Sequence, residues 1–257
     1  MLEVERYRQL AATTVGRRVT AVEAPDPWFL KRGLDADTLG AALVGRSFTA
    51  ARRVGKLLLL DVDGGPTLGV RFGMTGALFV DGVPAIERLE YTRDLHDPRW
   101  DRVVVRFRGG GDLRVRDPRR LGGVELEPDT SRLGVDAAAV TVAGLRHALG
   151  TSTAPLKARL LDQAHLAGVG NLLADEALWR AGLDPAREAG SLSPAELRRL
   201  HRHLRATLDE LTRRGGSHTG DLQAMRHPDG VCPRDGTPLL RRTIGGRTTY
   251  SCPRHQR

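Results

Sequence analysis

The residues with the most chemical potential lie near the C-terminal end. Cys232-Pro-Arg-Asp235 is followed, after sixteen residues, by Cys252-Pro-Arg-His255. Each half is a knuckle with two residues between its ligating side chains. Two such knuckles facing one another across a hairpin present Cys232, Asp235, Cys252 and His255 to one ion, and thiolate, imidazole and carboxylate are all zinc ligands. Closed four-ligand sites are structural, so one Zn2+ per chain is expected. A disulfide between the same cysteines would leave the matching offsets of Asp235 and His255 unexplained. A second feature is Gly168-Val169-Gly170-Asn171. Its glycines allow close backbone approach to a ligand, and Asn171 is placed to cap the helix after it, where exposed amides attract anions. An ordinary tight turn reads the same way.

These groups require particular elements to hold them. Leu239–Ile244 and Arg247–Tyr250 flank Gly245-Gly246 as a hairpin, which brings the knuckles together. Upstream, residues 3–14 have helical spacing through Val4, Tyr7 and Leu10. Residues 17 to 127 read as mostly β: Leu57–Val62, Thr67–Phe72, and two strands around Gly109-Gly110-Gly111, the pattern of a sandwich or barrel. After Pro128 the spacing becomes helical, with helices predicted over 141–149, 155–166, 172–181 and from Ser193 to about Arg213. Ser193-Pro194-Ala195-Glu196 is a capping-box start.

Charge narrows the partners. The 257 residues carry a formal charge of +9, and of 40 basic residues only Lys31, Lys56 and Lys157 are lysine. Such a surface attracts polyanions in a salt-sensitive way, and arginine suits bidentate phosphate and guanine contacts. No apolar run approaches the length of a membrane span, and no signal peptide opens the sequence. Two cysteines in a thiolate site fit a reducing cytoplasm.

Taken in order, five segments resemble the formamidopyrimidine-DNA glycosylase and endonuclease VIII family. They are Gly55-Lys56-Leu57-Leu58-Leu59, Phe72-Gly73-Met74-Thr75-Gly76, Asp117-Pro118-Arg119-Arg120-Leu121-Gly122, the Leu160–Leu183 segment, and the hairpin with Arg247 five residues before Cys252. The resemblance implies an α+β multidomain fold: an N-terminal β-sandwich (1–128), a helix-two-turn-helix domain (129–225) and a zinc-binding β-hairpin (226–257). It implies a monomer that excises oxidised bases, or cleaves at abasic sites, in duplex DNA held between two lobes. The damaged nucleotide is rotated out of the stack. Met74, Arg119 and Leu121 match the family's wedge residues, and Lys56, Asn171 and Arg247 match its phosphate contacts. Lys157 stands just ahead of the matched helix-two-turn-helix segment and is expected to contact DNA as a compact point charge, a chance surface placement being the other reading.

The start departs from the family, which begins Met-Pro-Glu-Leu-Pro-Glu-Val-Glu and uses the proline amine to form a Schiff base at deoxyribose C1′. This sequence begins Met1-Leu2-Glu3-Val4-Glu5. Three readings follow: a start that differs from the native one, a Met1 amine working with Glu3, or a catalytically impaired protein that binds damaged DNA or abasic sites. Lys56 is a second candidate nucleophile. Outside the family, a zinc-hairpin RNA-binding protein shares the basic charge and the knuckles. The short Ser217–Asp221 region favours oxidised pyrimidines or abasic sites over 8-oxoguanine.

Overall fold

The computed structural model describes all residues except 88 and 90–96. The chain forms two compact units, one of residues 3–130 and one of residues 1–2 with 131–257.

The first unit is a sandwich of two antiparallel sheets. Strands β1 (Val19–Glu23), β2 (Phe48–Val54), β3 (Leu57–Val62), β4 (Leu68–Arg71), β5 (Ala77–Val80), β6 (Val83–Pro84), β7 (Asp101–Phe107), β8 (Asp112–Arg116) and β9 (Gly123–Leu126) sort into orders β1-β7-β8-β5-β6 and β2-β3-β4-β9. Tyr7, Phe29, Phe48, Leu58, Leu78, Val105 and Leu113 are among the side chains of the core. Helix α1 (Leu2–Ala12) belongs to this unit from Glu3 onward. Helix α2 (Ala36–Leu43) stands in the stretch that the sequence reads as mostly β. Asp35 caps it by accepting from the Thr38 amide at 2.7 Å, and Leu39 and Leu43 form its buried face. Eight residues give too short a periodic signal to stand out between strands.

In the second unit, α3 (Val142–Leu149), α4 (Leu156–Leu161), α5 (Asn171–Ala181) and α6 (Pro194–Arg214) pack around Leu145, Leu160, Leu178, Leu200 and Leu204. Met1 and Leu2 pack in this core too. The predicted helix over 155–166 stops at Leu161, because the Asp162 carboxylate takes the Ala164 amide at 3.0 Å and turns the chain. A short parallel pair, β10 (Val135–Asp136) and β11 (Leu166–Ala167), follows. The capping box at Ser193–Glu196 forms as predicted, and α6 closes on Gly215 in the left-handed conformation.

The hairpin of β12 (Leu240–Ile244) and β13 (Arg247–Ser251) turns on Gly245 and Gly246, with φ of 57° and 71°. Both values lie where side chains are disfavoured, so the glycine pair suits a type I′ turn. The hairpin is not a unit apart. Trp179 of α5 and Leu222 pack with Cys232, Leu239, Tyr250 and Cys252 in one small core.

Candidate functional site

In the sandwich unit, three segments distant in sequence are tied together. The turn between β2 and β3 consists of Gly55 and Lys56, with Gly55 at φ 58°, and it presents Lys56 at the surface. Beside it the Arg53 guanidinium donates to the Gly55 carbonyl at 2.8 Å and to Glu5 of α1 at 3.1 Å. Burial pushes the Glu5 carboxyl up, but hydrogen bonds from Arg8 and Arg53 outweigh it and hold the group below its ordinary range.

Two residues on, α1 carries Tyr7, whose hydroxyl donates to the Gly76 carbonyl at 2.9 Å and whose ring lies 4.2 Å from that of Phe72. Burial, then the charges of Glu3 and Asp117, push the Tyr7 phenol above its usual range. Tyr7 thereby fixes the Phe72–Gly76 loop on α1. Asp117 fixes the same loop on the Asp117–Gly122 turn. Its buried carboxylate accepts from the Thr75 hydroxyl at 2.5 Å, the Arg119 amide at 3.2 Å and the Gly122 amide at 2.8 Å. Gly73, at φ 61°, lies so close that a Cβ there would fall 2.7 Å from Leu121 Cβ.

The two turns therefore abut, and their apolar tips point outward: Met74 is 46% and Leu121 45% exposed, with Arg119 exposed beside them. A core role for Met74 is excluded by that exposure. Within this unit the structure gathers Lys56, Met74, Arg119 and Leu121 on segments braced by α1, whose first turn carries Glu3. Met1 is 9% exposed in the core of the other unit.

In the helical unit the centre is Asp175 on α5. Its fully buried carboxylate pairs with Lys157 of α4 at 2.7 Å and with Arg226, and it receives the Tyr250 amide at 3.3 Å. Three donors then converge on one hairpin carbonyl, that of Thr248: Lys157 Nζ at 3.2 Å, Asn171 Nδ2 at 3.1 Å and Arg226 at 3.4 Å. Arg247, the residue before Thr248, is exposed.

Two expectations change here. Asn171 does not cap α5: Gly170 is the N-cap, and the Asn171 amide reaches the hairpin instead. Lys157 is not a surface point charge. Its side chain is fully buried against Asp175, Thr249 and the Thr248 carbonyl, so it braces the segment that bears Arg247 and cannot itself meet a phosphate. Burial pushes its ammonium down, Asp175 partly restores it, and Arg226 and Arg247 push it down again. As one of three lysines in an arginine-rich sequence, Lys157 stands out, but that leaves open whether it faces outward.

The four knuckle residues meet as their spacing predicts. One donor atom from each of Cys232, Asp235, Cys252 and His255 lies within 4.8 Å of all the others. Cys252 Sγ is 3.4 Å from Asp235 Oδ2, His255 Nδ1 is 3.2 Å from the same oxygen, and Cys232 Sγ is 3.6 Å from His255 Nδ1. His255 Nε2 faces the Trp179 carbonyl at 3.2 Å, which fixes the proton there and turns the Nδ1 lone pair toward the cluster. The Trp179 indole donates to Cys232 Sγ at 3.3 Å. Burial pushes the Cys252 thiol up, and neighbouring Cys232 and Asp235 act in the same direction. Two sulfurs, an imidazole nitrogen and a carboxylate oxygen at this spacing fit a cation bound among them.

Asp117, Asp175, Trp179, Tyr7, Glu5 and Arg226 are the positioning residues that motif reading left without a role. Asp117, Asp175 and Trp179 lie inside or beside the matched segments. Nothing local tells a buried acid from a surface one.

Comparison with known proteins agrees with this architecture. The family description "Formamidopyrimidine-DNA glycosylase N-terminal domain" matches residues 1–124, and "Formamidopyrimidine-DNA glycosylase H2TH domain" matches residues 133–222. The formamidopyrimidine-DNA glycosylase of Roseiflexus sp. is 33% identical over 270 residues, covering 96% of this chain and 95% of that protein. That of Thermus thermophilus is 38% identical over 230 residues, covering 81% and 82%. Among solved structures, Lactococcus lactis Fpg in complex with DNA containing Fapy-dG superposes with a TM-score of 0.82 at 25% identity, covering 100% of this chain and 99% of that one. The complex of the same enzyme with abasic-site DNA gives the same score, identity and coverage. With both domains matched and relatives similar along nearly the whole length, the chain belongs to the formamidopyrimidine-DNA glycosylase family.

Proposed function

We propose that this protein is a base-excision-repair DNA glycosylase and abasic-site lyase that acts on damaged bases or abasic sites in duplex DNA by base flipping. The observation that carries the reading is the pair of outward-facing turns clasped by Asp117. A thioether, a guanidinium and an isobutyl group on adjoining rigid turns suit insertion into the gap left by an extruded nucleotide. Solved relatives hold DNA with Fapy-dG or an abasic site, and such DNA is the partner assigned here. Lys56 in the sandwich and Asn171 and Arg247 in the helical unit take phosphates. Arg247 is aimed by the convergence of Lys157, Asn171 and Arg226 on Thr248.

Zinc suits the metal group best, since two thiolates, an imidazole and a carboxylate match its borderline softness. Bound there, it has a structural role, joining the knuckles that carry the hairpin. The free thiols fit a reducing cytoplasm.

For the lyase step, the Met1 amine is the assigned nucleophile, with Glu3 as its acid–base partner; an amine of this kind forms a Schiff base with the opened sugar. Borohydride trapping on abasic-site duplex, with the N-terminal residue identified by intact mass, tests the reading. A covalent adduct abolished by N-terminal acetylation is expected. Asp117→Ala should lose preference for abasic over intact duplex while staying folded. Wild-type protein that binds both duplexes equally and traps neither would refute the function.

A further inference from the structure

Trp28 is the most exposed large apolar side chain among the described residues, at 68%. Its neighbours Phe29 and Leu30 are buried in the sandwich core. Folding needs those two inside and asks nothing of Trp28. The indole is nevertheless held on a stiff support. Asp26 caps the short turn Pro27–Phe29 by accepting from the Trp28 amide at 3.2 Å and pairs with Arg102 at 3.1 Å. Leu30 bridges to Val124, and the Lys31 amide donates to the Val124 carbonyl at 2.9 Å. The support is therefore stitched to β9, the strand that begins directly after the Asp117–Gly122 turn. A second stitch runs to that turn itself, because Asp26 also lies 3.6 Å from the Arg120 guanidinium.

One cation stands over the ring. The Lys31 ammonium sits 5.2 Å from its centroid, donates to the Trp28 carbonyl at 2.6 Å and makes no ion pair among the described residues. Two of its protons remain for another acceptor. An exposed aromatic face beside an uncompensated ammonium is the combination that holds nucleotides, the ring stacking and the cation meeting the phosphate.

Resting on the DNA reading above, we propose that Trp28 and Lys31 form a further DNA contact, in which the indole stacks on a nucleotide flanking the wedge and Lys31 pairs with its phosphate. The wedge turn and the Trp28 turn share Asp26 and β9, so they engage the duplex as one rigid piece. Trp28 then fixes the register of the wedge along the DNA.

Fluorescence gives a direct test, since Trp28→Phe isolates the emission of Trp28 from that of Trp100 and Trp179. With a duplex carrying a stable abasic-site analogue, that difference emission should become protected from acrylamide at least two-fold. Trp28→Ala should weaken binding about ten-fold, Trp28→Phe less than three-fold, and Lys31→Ala should make the salt slope shallower. The same titrations on intact duplex separate this inference from the function it rests on. Loss of preference for the abasic duplex in wild-type protein would count against the function alone, provided that Trp28 is still shielded. Wild-type binding with Trp28 fully accessible, and Trp28→Ala binding as tightly as wild type, overturns the Trp28 contact.

Discussion

Asp175 holds two cations at once, and that sets what its neighbours can do. Lys157 has no route to solvent, so its charge is tolerated only through Asp175 and two oxygen acceptors on the hairpin. Breaking a buried pair strands the remaining charge, which costs more than the pair itself contributes. Lys157→Met is expected to destabilise the helical unit by about 3 kcal/mol, read by denaturant unfolding. Arg226 remains to compensate Asp175, so the unit should still fold. Arg247 is the opposite case, an exposed charge whose loss should leave stability near wild type. Arg247→Ala should weaken DNA binding and reduce the slope of log K against log salt by about one unit, because one fewer counterion is released. An unchanged slope would remove Arg247 from the phosphate contacts.

At the scale of elements, the hairpin is held by the candidate metal group at its base, by the indole of Trp179 on α5, and by the contacts of Lys157, Asn171, Arg226 and Asp175 with Thr248 and Tyr250. A two-stranded ribbon has too little apolar surface to be stable alone. Cys252→Ala should release the bound metal in a chelator-competition assay and lower DNA affinity through disorder at Arg247. The sandwich should keep its unfolding transition, since the metal group lies wholly within the other unit. Metal analysis finding no zinc in protein purified without chelators would sink the assignment. Helix α6 needs no such help, because its capping box and its Leu197, Leu200, Leu204, Leu208 and Leu211 stripe satisfy both its end and its face.

Across the whole molecule, the carboxylates are largely spoken for by arginines. The Arg187 guanidinium, against a smaller effect of burial and with help from Ser193, holds the Glu196 carboxyl at about 2 instead of 4.5. Asp61 is lowered chiefly by Arg52, and Asp81 by Arg17. A folded-state value below the unfolded one means that the contribution is complete above the unfolded value and is lost as pH falls through the folded one. Thermal stability should therefore hold down to about pH 4.5 and decline from there toward pH 2, and Glu196→Gln should flatten that decline. The net charge of +9 acts at the same scale. It raises affinity for any polyanion without distinguishing a lesion, so the function proposed above places selectivity on the Met74 and Leu121 turns.

The amino-acid sequence by itself determined the metal knuckles, the hairpin turn, the α6 start and the order of the five motifs. Each depends on residues close in sequence, where spacing and backbone preference act directly. Tertiary structure decided which side each polar group faces. Asp117 and Asp175 are ordinary acids in a chain full of arginines until folding buries them and makes each a shared anchor for its neighbours. Lys157 and Asn171 look alike as surface donors, yet burial turns one into a brace and contact with Thr248 draws the other off its helix end. Met74 and Leu121 are both apolar, and side chains of that kind tend to be covered. Their turns are instead held by Asp117 and Tyr7 so that the tips stay outside, because long-range hydrogen bonds outweigh the local tendency of apolar side chains to be covered.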